Sequence, residues 1–241
     1  MIIERRLGST EIACVAALYV PALALELPKN KTATDVFGRL KWGLQTPRNA
    51  PMKRGNKVEP IALDYYREHI GPAWRAKPDG EFWTIRHPDH EWFTASPDAF
   101  DAPTPKVVIE AKSQSEWARA QWGEPGTDQM ATRYLYQCIW LMACSGAQQA
   151  HALCMFGHDT TTDDGEPEFV LTEPAIYVVD RDDALERSLL GYGERFINEF
   201  VLPGIPPPVK PAHNRREMKK RLEDERGICA VEDWQQRCEA Q

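Results

Sequence analysis

The chain has 241 residues, 42% of them hydrophobic and 27% charged. That is the make-up of a folded globular protein; it excludes a collagen, a small disulfide scaffold and a disordered acidic chain. With 29 Lys/Arg against 36 Asp/Glu the net charge is −7, so any contact with a polyanion has to be local. Residues 1–60 hold 10 basic and 5 acidic residues, a net of +5, which leaves −12 on the other 181. Between Lys29 and Lys57 eight basic residues accompany one acid, Asp35. A basic segment on an acidic body suits a protein that holds a polyanion at one face, and equally a solvated lysine-bearing loop.

Residues 9–19 read as a short helix with Ser9 or Thr10 as its N-cap. The uncharged run Ile12 to Leu25 contains Pro21 and falls short of the roughly 20 residues that a membrane span needs. Glu4 and Glu11 stand where a signal peptide avoids acids. Residues 26–51 carry Pro28, Pro47 and Pro51 and read as loops and short helical pieces. Met52 to His69 reads as a helix with an apolar stripe of Val58, Ile61, Ala62, Tyr65 and Tyr66, started or distorted near Pro60.

The period then changes. Glu81–Arg86 and Glu91–Thr94 read as strands around the turn His87-Pro88-Asp89-His90, and Pro78-Asp79-Gly80 is a turn signal. Lys106-Val107-Val108-Ile109 is a strong strand, expected to close a three-stranded antiparallel run. Thr127 to Cys144 is a long amphipathic helix stopped by Gly146. Gln149–Phe156 and Glu168–Val179 read as strands around an acidic turn, and Asp180–Phe200 as a second long helix. Pro206-Pro207-Pro208 marks a boundary. The order predicts an α/β (α+β) domain, a mixed central sheet flanked by helices. Neither GxGxxG nor GxxxxGK[ST] occurs. The cysteines, Cys14, Cys138, Cys144, Cys154, Cys229 and Cys238, form no CxxC pair and read as reduced thiols of a cytoplasmic protein.

The chemistry gathers in Ser96-Pro97-Asp98 and Val107-Val108-Ile109-Glu110-Ala111-Lys112. Alternation along a strand puts Lys106, Val108, Glu110 and Lys112 on one face and Val107, Ile109 and Ala111 on the other. An acid and an amine beside a core are costly unless they serve each other or a ligand. A hairpin of twelve residues can bring Asp98 beside Glu110. Two adjacent carboxylates repel without a cation between them, and such oxygen donors suit magnesium or manganese, with the Ala111 carbonyl as a third ligand. Lys112 then stands where it can orient a water for attack on a phosphodiester. These residues alone fit either that site or a buried structural ion pair. Trp117 and Trp122, in the loop after Lys112, read as core anchors or as base-stacking aromatics.

Four ordered blocks carry a resemblance: Arg5-Arg6-Leu7-Gly8-Ser9-Thr10-Glu11, Met52-Lys53-Arg54-Gly55-Asn56-Lys57-Val58-Glu59, Ser96-Pro97-Asp98 with Glu110-Ala111-Lys112, and Tyr134 to Gln137. Over roughly residues 5–200 the chain resembles the lambda-exonuclease and YqaJ-type viral recombinase family of the PD-(D/E)xK nuclease superfamily. The resemblance implies a restriction-endonuclease-like core over 1–208, followed by a charged tail or helix at 209–241. It implies a 5′-to-3′ exonuclease that degrades one strand of linear double-stranded DNA to mononucleotides and leaves a 3′ single strand for annealing.

The same resemblance implies the roles. Asp98, Glu110 and the Ala111 carbonyl hold magnesium or manganese, two ions per site. Lys112 positions the attacking water, Glu59 lines the site, and Gln137 bonds near the scissile phosphate or Lys112. Arg5 or Arg6 with Ser9 or Thr10 receive the 5′ end, and Lys53 and Arg54 join the DNA-binding surface. The arginine-to-hydroxyl spacing is shorter than in the lambda enzyme. Ala99 stands where the family often has Gly, which implies a different turn or a small strain. A ring-shaped homotrimer and a single-strand annealing protein are the implied partners, with no membrane. The alternatives are an endonuclease on the same fold, a RecB-type nuclease with an iron–sulfur cluster, and a DNA-binding module without catalysis. The cluster needs four cysteines, three of them closely spaced near the C-terminus, a pattern this chain lacks.

Overall fold

A computed structural model describes residues 5–75, 84–102, 106–162, 164 and 167–240. The Pro78-Asp79-Gly80 turn, the first half of the strand expected over 81–86 and part of the acidic turn before residue 167 lie outside the described residues. Ser9–Glu11 forms a 3-10 turn that leads into α1 (Ile12–Ala16). Ser9 is therefore inside the turn and buried rather than capping a helix. The Glu11 carboxylate takes the capping role by accepting the Gly8 amide at 3.2 Å. Pro21 opens a second short helix, α2 (Pro21–Glu26).

The basic segment is more ordered than its prolines suggest. Helix α3 spans Ala33–Trp42, its start fixed by a reciprocal Thr32–Asp35 cap and its end by Gly43 at φ 74°. Helix α4 (Ala50–His69) begins at the Asn49 cap and runs through Pro60. It buries Val58, Ala62, Leu63 and Tyr66, whereas Ile61 faces solvent.

β1 (Ile85–Arg86) and β2 (Thr94–Ala95) form a separate antiparallel pair. The expected three-stranded antiparallel run is therefore two structures. β3 (Ala99–Phe100) and β4 (Val107–Ser115) pair antiparallel, β4 and β5 (Gln149–Thr161) pair parallel, and β5 and β6 (Pro167–Asp180) pair antiparallel, in the order β3-β4-β5-β6. The parallel pair exists because α5 (Thr132–Ser145) crosses between its strands. That helix starts later than the amphipathic pattern predicts. Residues 126 and 127 are drawn off to β6, through Gly126 N to Ile176 O and Val178 N to Thr127 O.

Helix α6 (Asp183–Phe196) starts at its Asp182 cap and continues as a π turn to Val201. After the prolines the charged segment folds as α7 (Arg215–Arg226) and α8 (Ile228–Glu239), which bury Met218, Leu222 and Trp234. Asp35 fastens the approach to this pair by accepting the Ala212 and His213 amides at 2.9 and 2.8 Å. No helix among the described residues is long and apolar enough to cross a membrane. The sheet lies between two apolar layers. Val108 joins Trp140 and the other buried residues of α5, while Ile109 and Leu153 meet Val58, Leu63 and Tyr66 of α4.

Candidate active site

The two apolar layers confirm the alternation read along β4: Val108 faces α5 and Ile109 faces α4. Glu110 shares the Val108 face and is buried there at 4% exposure. Its Oε1 accepts from the Lys112 ammonium and from Gln137 Nε2, the latter at 2.7 Å. Gln137 thus meets Glu110 rather than Lys112. Glu110 Oε2 is buried with no hydrogen-bond partner among the described residues, a state that costs about 1–3 kcal/mol or more for a carboxylate oxygen. Glu110 and Lys112 lie within a strand that runs on to Ser115.

Asp98 reaches the same place from the turn before β3. Pairing of Ala99 with Ile109 sets the register, and Asp98 Oδ2 accepts the Ala111 amide at 2.8 Å. Ala99 is buried in extended strand backbone, so alanine at this position carries no left-handed strain. Burial, and then the charge of Glu110, push the Asp98 pKa well above the usual carboxylate range, against the pull of Lys112. Burial alone would lower the pKa of Lys112, but Glu110 and Asp98 outweigh it and keep the amine charged.

Two carboxylates crowd one ammonium in a buried place. The unpartnered Glu110 oxygen and the Asp98 carboxylate are oxygen donors of the kind a hard divalent cation takes. Among the described residues no three His, Cys, Asp or Glu side chains are arranged to hold a metal. An ion here would complete its shell with backbone carbonyl and water, as magnesium commonly does.

Glu59 is near enough to contribute to the raised Asp98 pKa, yet its hydrogen bond is to Arg75 at 2.7 Å. Nothing in the sequence pattern singled out Arg75. Lys112 lies over the Tyr134 ring at 5.4 Å, and the Tyr134 hydroxyl accepts from Gln114 at 2.7 Å. Tyr134 sits one helical turn before Gln137, so α5 sets both against β4.

The expected DNA-binding residues are more dispersed. Arg6 Nε donates to the Glu91 carbonyl at 2.8 Å, and the Arg5 guanidinium packs against Gly43. Ser9 is buried and Thr10 exposed. Arg54 pairs with Asp159 at 3.2 Å and lies over Phe169, whereas Lys53 is exposed. Within the basic segment Lys31 and Arg39 both turn inward onto Glu11. Their charge is spent inside the protein, which shrinks the basic face that composition suggested. Trp122 is buried against Tyr134 and Tyr177, while Trp117 is exposed. All six cysteines are free.

Solved structures similar to this chain include exonucleases. One is the alkaline exonuclease LHK-Exo from Laribacter hongkongensis, with a TM-score of 0.56, 21% identity, and coverage of 91% of this chain and 94% of that one. A second structure of LHK-Exo holds dAMP; it gives a TM-score of 0.55 at 22% identity, covering 91% of this chain and 93% of that chain. A phage-related exonuclease from Haemophilus somnus gives 0.51 at 12% identity, covering 82% of this chain and 96% of that one. At these identities the likeness establishes the fold. Residues 4–148 of the chain match the model of the YqaJ-like viral recombinase domain, which is more than half its length. The chain belongs to that family. No curated protein matches it.

Proposed function

We propose that this protein is a magnesium- or manganese-dependent exonuclease that hydrolyses one strand of linear double-stranded DNA from its 5′ end. The observation that carries the reading is the buried Glu110: one oxygen saturated by Lys112 and Gln137, the other open beside Asp98. A bound divalent ion supplies Lewis-acid activation of the phosphodiester and of water. The chain's residues do the rest. Lys112 donates hydrogen bonds to the attacking water and offsets charge on the phosphate. Gln137 and Tyr134 hold Glu110 and Lys112 in place. Water gives up a proton to solvent as its oxygen adds to phosphorus, the bond to the 3′ oxygen breaks, and the released oxygen takes up a proton from solvent. Each turnover frees a mononucleotide and leaves a new 5′-phosphate on the shortened strand.

Membership of a viral recombinase family supports DNA as the substrate. So do two structural relatives, LHK-Exo solved with dAMP and SOX solved with DNA. The family resemblance extends the proposal to two ions per site, a DNA-encircling homotrimer and a single-strand annealing partner. Light scattering on the purified protein tests the trimer.

The decisive experiment incubates the protein and Lys112→Ala with linear duplex bearing a 5′-phosphate or a 5′-hydroxyl, and with a closed circle. Magnesium-dependent mononucleotide release from the linear ends, faster with the phosphate and lost in the variant, is expected. Cutting of the circle replaces the exonuclease with an endonuclease. Binding without any cleavage leaves a DNA-binding module.

A further inference from the structure

The turn that follows β4 holds an indole in solvent. Trp117, in the 3-10 turn Glu116–Gln121, is 93% exposed. The turn itself is firmly held. Arg119 bonds to Glu116 at 2.9 Å, pairs with Glu173 at 3.4 Å and lies over Phe156 at 4.1 Å. Trp122, just beyond, is buried between Tyr134 and Tyr177. A lone exposed aromatic is ordinary on a protein surface. One presented by an anchored turn, five residues past Lys112 on the same stretch of chain, has a geometric relation to the site.

A second observation points to the same ligand. The Arg133 guanidinium lies over the Tyr134 ring at 4.4 Å and donates to its hydroxyl at 3.3 Å, with no acidic partner among the described residues. Tyr134 in turn touches Lys112 and Gln114. An uncommitted guanidinium therefore sits one side chain from Lys112, and the indole sits three residues beyond Gln114. Trp117 is flanked by charged Glu116 and Arg119 rather than by an apolar patch, which disfavours a protein partner. An exposed aromatic face and a guanidinium without an acidic partner, each linked to Lys112 through β4 or Tyr134, suit the base and phosphate of a nucleotide.

We propose that this turn is a nucleotide-binding subsite, where a base of single-stranded DNA stacks on Trp117 and Arg133 takes an adjoining phosphate. It rests on the nuclease reading above and deepens it, giving the site a grip on unpaired DNA next to the scissile bond. The test compares the parent protein with Trp117→Ala, Trp117→Phe and Arg133→Gln. The probe is a short fluorescein-labelled oligodeoxythymidylate, bound in calcium to prevent cleavage, and the same proteins are assayed on linear duplex with magnesium. Trp117→Ala is expected to weaken oligonucleotide binding by about 5- to 150-fold, the span of base–aromatic stacking. Trp117→Phe should stay within about threefold of the parent. The melting temperature should not move, because the indole buries almost nothing. Arg133→Gln should flatten the slope of log K against log salt by about 0.7. Parental affinity in Trp117→Ala, with the parent cutting duplex normally, overturns the subsite alone. A parent that neither binds nor cuts DNA overturns the nuclease reading and the subsite with it.

Discussion

Glu11 and Glu110 are both almost wholly buried, at 3% and 4% exposure, and each is paired with a lysine. Glu11 also receives Arg39 and the Gly8 amide, so both its oxygens have donors. Burial would raise its pKa, but Lys31 and Arg39 outweigh that and hold it below the usual range. Glu110 has one satisfied oxygen and one open, and a second carboxylate for a neighbour. The first arrangement is complete without any ligand; the second is incomplete until a cation arrives. Burial of an acid therefore says little about its role, whereas the accounting of its lone pairs says a great deal.

The contrast can be broken most sharply at Glu110. Replacing it by Gln, or Lys112 by Ala, should lower DNA cleavage by at least about a thousandfold. Glu110→Gln should leave the melting temperature unchanged or raised, because like-charge crowding with Asp98 is relieved. Retained cleavage with a large loss of stability would make Glu110 a structural acid like Glu11.

Glu11→Ala should do the reverse, costing about 3 kcal/mol in a urea melt as Lys31 and Arg39 lose their shared partner. Both cations keep 26% of their side chains exposed, which limits the loss. The acid limb sharpens the point. A carboxylate whose folded pKa is depressed adds stability that is full above its unfolded value, about 4.3, and fades as pH falls through the folded value. The parent should therefore lose stability more steeply below about pH 4.3 than Glu11→Gln does.

Metal addition should separate the two sites at smaller amplitude. Magnesium at about a hundred times its Kd should stabilise the parent by about 2.7 kcal/mol, and should leave an Asp98→Asn, Glu110→Gln double variant unmoved. The smallest effect belongs to Tyr134. Its replacement by Leu should slow cleavage about tenfold by freeing Lys112, and by Phe less, since the ring beneath the amine remains.

Much of β4 could be read from sequence because strand alternation is local: the faces of Val108, Ile109 and Glu110 follow from parity alone. Asp98 was also within reach, since the hairpin that carries it is short. The partners of Glu110 were harder, because Gln137 lies 27 residues away on α5 and only tertiary packing selects its bond. Helix α3 was obscured by charge, although Thr32 and Asp35 spelled out its cap. Trp117 and Trp122 were indistinguishable as letters. A turn that pins Arg119 sends one into the core and the other into water. The inward pairing of Lys31 and Arg39 was invisible to a count of charges.

The Asp35 contacts with residues 212 and 213 span 177 and 178 positions of sequence. Such contacts raise the contact order of the chain and delay their own formation. During synthesis α3 emerges well before residues 212 and 213, so its Asp35 waits for their amides. The segment bearing the basic residues therefore completes its native bonding only after about 180 further residues have been made, and its anchor is the part of that layer that closes late.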